Sequence, residues 1–536
     1  MFKDKLKNLK KKVDEIPFTG NNKNSNASES YSSPGSANSS KSNISSLSGS
    51  LNVPSSLPSI RSINNRIKTS GESNLSQGLV DIKFKIEELQ SYGIAGKVRS
   101  LAYDPVQSLM AMITEYNEIH IFGQNRVNSI IKLQSVNSIR ALRFVKGIYL
   151  VAIDNLSTIF VISLHSKRVI HTIIAKLPIT AFETDYSIEF IFVGFRNGYV
   201  RAYNIETGLE TILSLKDQQR AEYPLDADVH VCSIKFHPRD LSTLLISYPK
   251  MTVIYRLPDD SIENKFVYKL ERGAPGGENS TYLYEQSGYY FPRVVESLWH
   301  PNGLHILTVH EDNSLVFWDA KTGEFILART LFDSYVNEPT NEDLKPVPQS
   351  QRMSDIKKIC WLCEADSERT SLLILGGDAF ASEGYHQLMR IDFGKMLMYS
   401  VTSYNQMAKY YAQPKQQNIF AIHSSANVLD FVPLPEVSPY FNGCHNPKLI
   451  ATIMTDGSLK FLNYPTGNLS FKASNFPSSV TWLNPKITCS TSSYIDKTKL
   501  NSIMPTIRKY NTILKGGIPS KPKYKATVGS CLLYTS

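Results

Sequence analysis

Residues 310–326, "HEDNSLVFWDAKTGEFI", hold the densest run of chemically capable side chains in the chain. His310, Glu311, Asp312 and Asn313 stand in a row, with Trp318 and Asp319 close behind. An imidazole beside two carboxylates could ligate a metal or exchange protons with a substrate. A second candidate is Cys360-x-x-Cys363, which has the spacing of half a zinc site. No second pair completes it, and it sits in "IKKICWLCEAD", a strand-like run in which positions three apart face opposite sides. Buried thiols are the expectation there. The eleven histidines are scattered, and His237 and His300 each precede a proline at a strand end, which points to turns. No GxxxxGK[ST], HExxH or GxSxG is present, and "LGGD" at 375–378 is too short for a phosphate loop. No catalytic set, cofactor or metal is expected.

What the run at 310–326 does depends on the elements that carry it. From about residue 80 the chain consists of short runs rich in Val, Ile, Phe and Tyr, such as "IEFIFVGF", "SLVFW" and "LLILGG". Each is too short for a core helix and is bounded by Gly, Asn, Asp or Pro, as strands are. Three of them fit one template: "NGYVRAYNIETG" (197–208), "DNSLVFWDAKTG" (312–323) and "DGSLKFLNYPTG" (456–467). Weaker copies read "EYNEIHIFGQ" (115–124) and "DNLSTIFVISLHSK" (154–167). A second phrase recurs upstream: "VRSLAYDP" ends at Pro105, "VCSIKFHP" at Pro238 and "VVESLWHP" at Pro301. Aligning the weak copies on Asn117 and Asn155 gives spacings of 38 residues, then 42 to Asn197. A period near 40 with about four strands per unit is a propeller signature. The expected class is all-β, a WD40-like seven-bladed β-propeller at 79–480.

Within that frame the run at 310 becomes turn chemistry. In WD-type blades an Asp in a tight turn lies six residues before a Trp in the next strand, as Asp312 does before Trp318. Asn197 stands so before Tyr203, and Asp456 before Leu462. An Asx side chain there bonds nearby amides, while the aromatic packs between blades. The strand phrases "LVF", "VRA" and "LKF" offer no consistent acid set for an enzyme site in the propeller channel.

The flanks differ from the body. The chain carries +10 over 536 residues, and residues 1–80 hold 11 Lys or Arg against 5 Asp or Glu. A basic tail on a near-neutral body calls for an acidic partner of the tail, not for nucleic acid along the fold. In residues 1–16, Phe2, Leu6, Leu9, Val13 and Ile16 line one face of a helix, with Lys3, Lys5, Lys7 and Lys10 among its other positions. Such a helix can lie on an anionic membrane surface or dock on the protein's own body. Residues 17–78, rich in Ser and Asn, are expected to be disordered. No apolar run approaches the ~18 residues that span a bilayer, and the N-terminus lacks a secretory signal's apolar core, so a cytoplasmic protein is expected.

The phrases "HEDNSLVFWDA", "VVESLWHPNGLHILT" and the loop "LERGAPGG" (270–277) resemble the lethal giant larvae, tomosyn and yeast exocytosis-regulator family over about 80–530, the fungal members of polarised secretion above all. The resemblance implies two seven-bladed propellers and a tail acting without catalysis at the periphery of the plasma membrane. Its implied partners are a SNAP-25-class t-SNARE, a syntaxin-type SNARE, a secretory Rab GTPase and an exocyst subunit. Against that plan the chain is short: 481–530 is expected to begin a second propeller that is cut off, and "CLLYTS" (531–536) resembles a translated sequencing adapter. Insertions at 257–296 and 332–356 exceed what blade turns need. The first carries Tyr282, Tyr284, Tyr289 and Tyr290, which either meet a partner or pack on a neighbouring blade.

Overall fold

The computed structural model describes residues 94–470, apart from 95, 124–126, 135–136, 278–287, 341–352, 378–387, 421, 423–425 and 437–445, with four isolated positions near 500. The expected helix at 1–16, with Phe2, Lys3, Lys5, Leu6, Lys7, Leu9 and Lys10, lies outside the described residues, as do the segments 17–78 and 531–536. So do Tyr282, Tyr284 and, but for those four positions, the segment 481–530.

Each short apolar run pairs antiparallel with the run that follows it, so strands neighbouring in sequence also neighbour in space. The result is seven sheets, at residues 98–132, 139–174, 179–215, 233–266, 294–329, 358–420 and 428–463. Six have four strands; among the described residues the seventh has three, with a bridge from Leu462 to Leu469 beyond its third. First strands line the axis, and those of blades 7 and 1, 1 and 2, 3 and 4, 4 and 5, and 5 and 6 lie close to one another. The fourth strand of blade 3, Leu209–Leu215, faces solvent on one side and largely alternates exposed and less exposed positions, whereas that of blade 5, Phe325–Arg329, is covered. The chain forms a seven-bladed β-propeller.

No blade buries its apolar faces alone. Seven apolar clusters fill the seams between neighbours, joining blades 1 and 2, 2 and 3, 3 and 4, 4 and 5, 5 and 6, and 6 and 7. The last closes the ring: Ala451, Ile453 and Phe461 of blade 7 meet Val98, Leu101, Met112 and Phe122 of blade 1.

The blade template is visible as backbone geometry. Its first Asx opens the turn between second and third strands, and its Thr-Gly closes the turn between third and fourth. At that second turn Asn204 Oδ1 accepts from the amides of Glu206 (2.9 Å) and Thr207 (3.0 Å), and Asp319 Oδ1 from Lys321 (2.9 Å) and Thr322 (3.1 Å). The glycines that follow, Gly208, Gly323 and Gly467, take φ of +72°, +78° and +75°, a conformation L side chains adopt only with strain.

The repeat phase differs from the sequence reading in blades 1 and 2. Asn117 and Asn155 are not equivalent positions. The residues six before the seam-facing Phe122 and Ile162 are Tyr116 and Leu156, so the true spacings are 40 residues, then 41 to Asn197. Asn117 falls one place later in the turn and Asn155 one place earlier. Asx residues suit several turn positions, so matching residue type alone slipped the register.

Candidate interaction face

The turns between second and third strands cluster at the end of the ring where the first strands begin. In each of these blades the turn is tied to the approach of its own first strand: Glu115 N to Lys97 O (2.9 Å), Asn155 N to Ser138 O (3.1 Å), Arg196 N to Pro178 O (3.1 Å), Glu311 N to Arg293 O (2.8 Å) and Thr455 N to Asn427 O (2.8 Å). Asn197 Oδ1 accepts from Tyr199 N at 3.3 Å, and Asp456 Oδ1 from Ser458 N at 2.9 Å and Ser458 Oγ at 2.7 Å. Burial pushes the Asp456 carboxyl up, but the Ser458 bonds outweigh it and its pKa lies below the usual value. Tyr203, Trp318 and Leu462, six residues on, are buried in three different seams.

Every member of the polar run at 310 has a partner within the fold. Asp312, 1% exposed, accepts from Ser314 N (3.0 Å), Ser314 Oγ (2.9 Å) and Gly277 N (2.9 Å). The last bond anchors the "LERGAPGG" loop; a Cβ on Gly277 would stand 1.7 Å from the Asp312 carbonyl oxygen, so only glycine fits. Asn313 reaches forward, giving Nδ2 to Ser354 O (2.9 Å) and accepting Ile356 N (3.0 Å) at the entry to blade 6. Glu311 accepts from Arg293 N and Tyr290 Oη, both at 3.2 Å. His310 sits in a relay. Trp318 Nε1 donates to Thr308 Oγ1 (2.9 Å), that hydroxyl lies 3.0 Å from His310 Nε2, and Nδ1 meets the Pro292 carbonyl at 2.9 Å. A carbonyl only accepts, so Nδ1 carries the proton and Nε2 takes the hydroxyl's. Burial keeps the ring neutral by lowering its pKa. The run thus binds two loops and two neighbouring blades together, and no metal-ligating cluster occurs among the described residues.

One staple escaped the sequence reading. The turn residue after the Asx position fastens the next blade: Asn117 Oδ1 accepts Ile139 N (3.4 Å), Ser157 Oγ accepts Ile179 N (2.9 Å) and Asn313 accepts Ile356 N. All three hold positive φ, +56°, +68° and +65°. At the opposite end of the blades the residues before proline cap turns. Asp104 accepts from Val106 N (3.0 Å) and Gln107 N (3.1 Å), His237 Nδ1 from Arg239 N (3.2 Å) and His300 Nδ1 from Asn302 N (3.1 Å). Of the Cys pair, Cys363 is buried and Cys360 half-buried, and neither is in a disulfide. Of the tyrosine group, Tyr290 packs against the seam of blades 4 and 5, and Lys269 lies 4.4 Å over the Tyr289 ring.

The channel needs a correction. Titratable groups do gather on it, because first strands line it, whereas "LVF", "VRA" and "LKF" belong to third strands buried between blades. Lys235 lies 3.2 Å from Glu183 and 3.5 Å from Glu296, and Lys358 2.6 Å from Asp430. Burial alone would lower the Lys235 pKa, but Glu296 and Glu183 outweigh it and raise it. These groups pair across blades 3 to 5 and 6 to 7.

Where the channel opens among the turns lies a cavity of about 480 Å³ lined by Arg140, Thr180, His230, Cys232, Arg293 and Val295, among others. Asp228, close by, is already engaged: Arg293 Nη2 lies at 2.8 Å and His230 Nδ1 at 2.6 Å. Burial pushes its carboxyl up, yet those partners hold it below the usual range. Asp228, His230 and Cys232 stand in a Cys–His–Asp order, with Sγ 3.5 Å from Nε2. Burial raises the Cys232 pKa, so at neutral pH it is a thiol and not a nucleophilic thiolate.

Seam-packed four-stranded blades with Asx-capped turns define a WD40-type β-propeller, a class whose working parts are its surfaces. No family model matches the chain. A chain in the crystal structure of the mitotic checkpoint complex covers 78% of this chain and 98% of its own, at 12% identity and a TM-score of 0.42, too loose a likeness to carry weight. Sequence similarity is more specific. The chain is 39% identical over 462 residues to the lethal(2) giant larvae protein homolog SRO77 of Saccharomyces cerevisiae, covering 86% of this chain and 45% of that protein. An uncharacterized protein of Schizosaccharomyces pombe is 26% identical over 488 residues, 88% of this chain and 47% of its own. The chain is thus similar in sequence to a lethal giant larvae homolog, and it spans about half the length of the curated relatives it matches.

Proposed function

We propose that this protein is a non-catalytic regulator of polarised exocytosis. It binds plasma-membrane SNAREs of the SNAP-25 class and syntaxin type, a secretory Rab GTPase and an exocyst subunit, and so controls vesicle docking and SNARE assembly. The observation that carries this reading is the 39% identity to the yeast lethal(2) giant larvae homolog, spread over 86% of the chain. A propeller whose polar turn run is fully used in holding blades together supports it, because that run is committed to scaffold and leaves recognition to the exposed faces. In this reading the protein is cytoplasmic and meets the plasma membrane peripherally, with the basic segment 1–16 on anionic lipid.

Affinity purification of the full-length protein from its own cells, with and without a non-hydrolysable GTP analogue, tests it. SNARE, Rab and exocyst subunits are expected to co-purify, the Rab only with the analogue. Recovery of coat or chromatin subunits in their place would make the chain a generic WD40-type scaffold for another assembly.

A further inference from the structure

The first strands of five blades share one irregularity. In blade 1 Val98 pairs with Thr114 and Ser100 with Ile113, leaving Arg99 without a place in the ladder. The same skip leaves out Arg140 in blade 2, Thr180 in blade 3, Val295 in blade 5 and Leu429 in blade 7. Blade 4 has Cys232 at the equivalent place, just ahead of its first strand. A bulge turns its extra residue out of the pleat, and repeated around a ring it builds a collar. Arg140, Thr180, Cys232 and Val295, from four successive blades, line the same cavity at the channel mouth.

The collar bears both basic and apolar side chains. Arg99 and Arg140 are exposed, and each gives one guanidinium nitrogen to the frame, Arg99 to Ser138 Oγ (2.8 Å) and Arg140 to the Ile179 carbonyl (2.9 Å). Neither forms an ion pair among the described residues. The one carboxylate that Arg140 feels, Asp154, is occupied by the amides of Leu156 and Thr158 and by Asn137 Nδ2. Glu311, on the cavity wall, and Asp228, close by, are likewise taken by their own neighbours. Lys97, Lys176 and Arg196 add exposed positive charge on the same face of blades 1 to 3. The bulge residues of blades 5 and 7 are apolar: Val295 and Leu429 are 47% and 46% exposed. Tyr116 and Leu156, which stand where blades 3, 5 and 7 put the turn's Asx, are 59% and 69% exposed.

We propose that this collar is a docking site for an acidic peptide segment of a partner protein bearing bulky apolar side chains. Its carboxylates take the open N–H groups of Arg99 and Arg140, which guanidinium geometry suits. Its apolar side chains cover Val295, Leu429, Tyr116 and Leu156. A concave mouth of this volume fits peptide side chains better than a flat lipid surface. The site is inferred without regard to which protein supplies the peptide, so it stands or falls separately from the exocytic reading.

The test is fluorescence anisotropy of the whole 536-residue chain against three labelled 12-residue peptide panels: acidic with Leu and Phe, acidic with Gly and Ser, and basic with Leu and Phe. Only the first panel is expected to bind, more weakly in 0.5 M salt, roughly tenfold more weakly to the Arg99→Glu/Arg140→Glu variant, and normally to Arg168→Glu on an outer strand. Arg99→Lys/Arg140→Lys, which keeps the charge, should recover most of the binding, separating charge loss from misfolding. Equal binding of acidic and basic panels, or unchanged binding by the double Glu variant, would overturn the proposal. So would absence of peptide binding with Arg99- and Arg140-dependent sedimentation on phosphatidylserine vesicles, which would make the collar a lipid site.

Discussion

Asp312 and Asp456 occupy the same template position and accept similar local bonds, yet their surroundings decide their worth. Asp312 is buried and serves three donors, one of them the amide of a distant loop. Asp456 is exposed and serves only Ser458. Removing an acceptor leaves buried donors without water, at about 1–3 kcal/mol, whereas an exposed turn can bond solvent instead. Asp312→Ala is therefore expected to destabilise by about 3 kcal/mol and to free the 270–277 loop, and Asp456→Ala by under about 1 kcal/mol. Urea unfolding of both variants, with hydrogen exchange at Gly276 and Gly277, checks this; equal losses would mean that the template position, not burial, sets the cost. His310 shows how far residue types could be trusted. Its row of polar neighbours invited a site, and only the fold reveals a relay running from the Trp318 indole to a backbone carbonyl.

Between strands three and four of blade 6 the β pattern is interrupted by a helix, Tyr404–Ala412, which the strand reading passed over. Its start was legible: Ser403 and Gln406 form a capping box, each side chain bonding the other's backbone amide. Its fastening was not. Arg329, 2% exposed, donates to three carbonyls, those of Thr330 (2.9 Å), Leu331 (3.2 Å) and, at the helix C-terminus, Tyr411 (2.7 Å). Backbone partners leave no trace in side-chain spacing, so no sequence pattern announces a buried arginine. Strands and turns were legible because period 2 and Gly or Asx punctuation are local; seams, bulges and staples join residues far apart in sequence. The side chain of the same residue, Tyr411, places its Oη 2.6 Å from His305 Nδ1. Burial lowers the His305 pKa to about 4. A histidine depressed below its unfolded value of 6.5 stabilises fully above pH 6.5 and loses that contribution as pH falls toward 4, at about 1.4 kcal/mol per unit. Stability measured in urea should fall from pH 6.5 to 4, and His305→Gln should flatten the slope. A slope unchanged by that substitution would place the acid sensitivity elsewhere, His300 being the next candidate, since burial holds it well below its usual value too.

The ring as a whole is held by seams, and its closure differs from its interior joints. Six seams join blades adjacent in sequence; the seventh joins residues some 340 positions apart, so chain entropy opposes it most. In exchange it removes the free flanks of blades 1 and 7, and every blade then buries both faces. Phe461 and Phe122 approach that seam from opposite sides. Phe192 belongs to the seam of blades 3 and 4, across the ring. Each Phe→Ala change should cost about 3–5 kcal/mol, so single losses cannot distinguish a closed ring from an open one. The coupling can. If closure is real, Phe122→Ala and Phe461→Ala share one cavity, and their double-mutant cycle should deviate from additivity by about 1–3 kcal/mol. Phe461→Ala with Phe192→Ala should add within about 0.5 kcal/mol. Additivity in the first pair would mean that blades 1 and 7 do not meet in solution. The collar at the channel mouth would then lose the continuity between Leu429 of blade 7 and Arg99 of blade 1 on which a single peptide site depends.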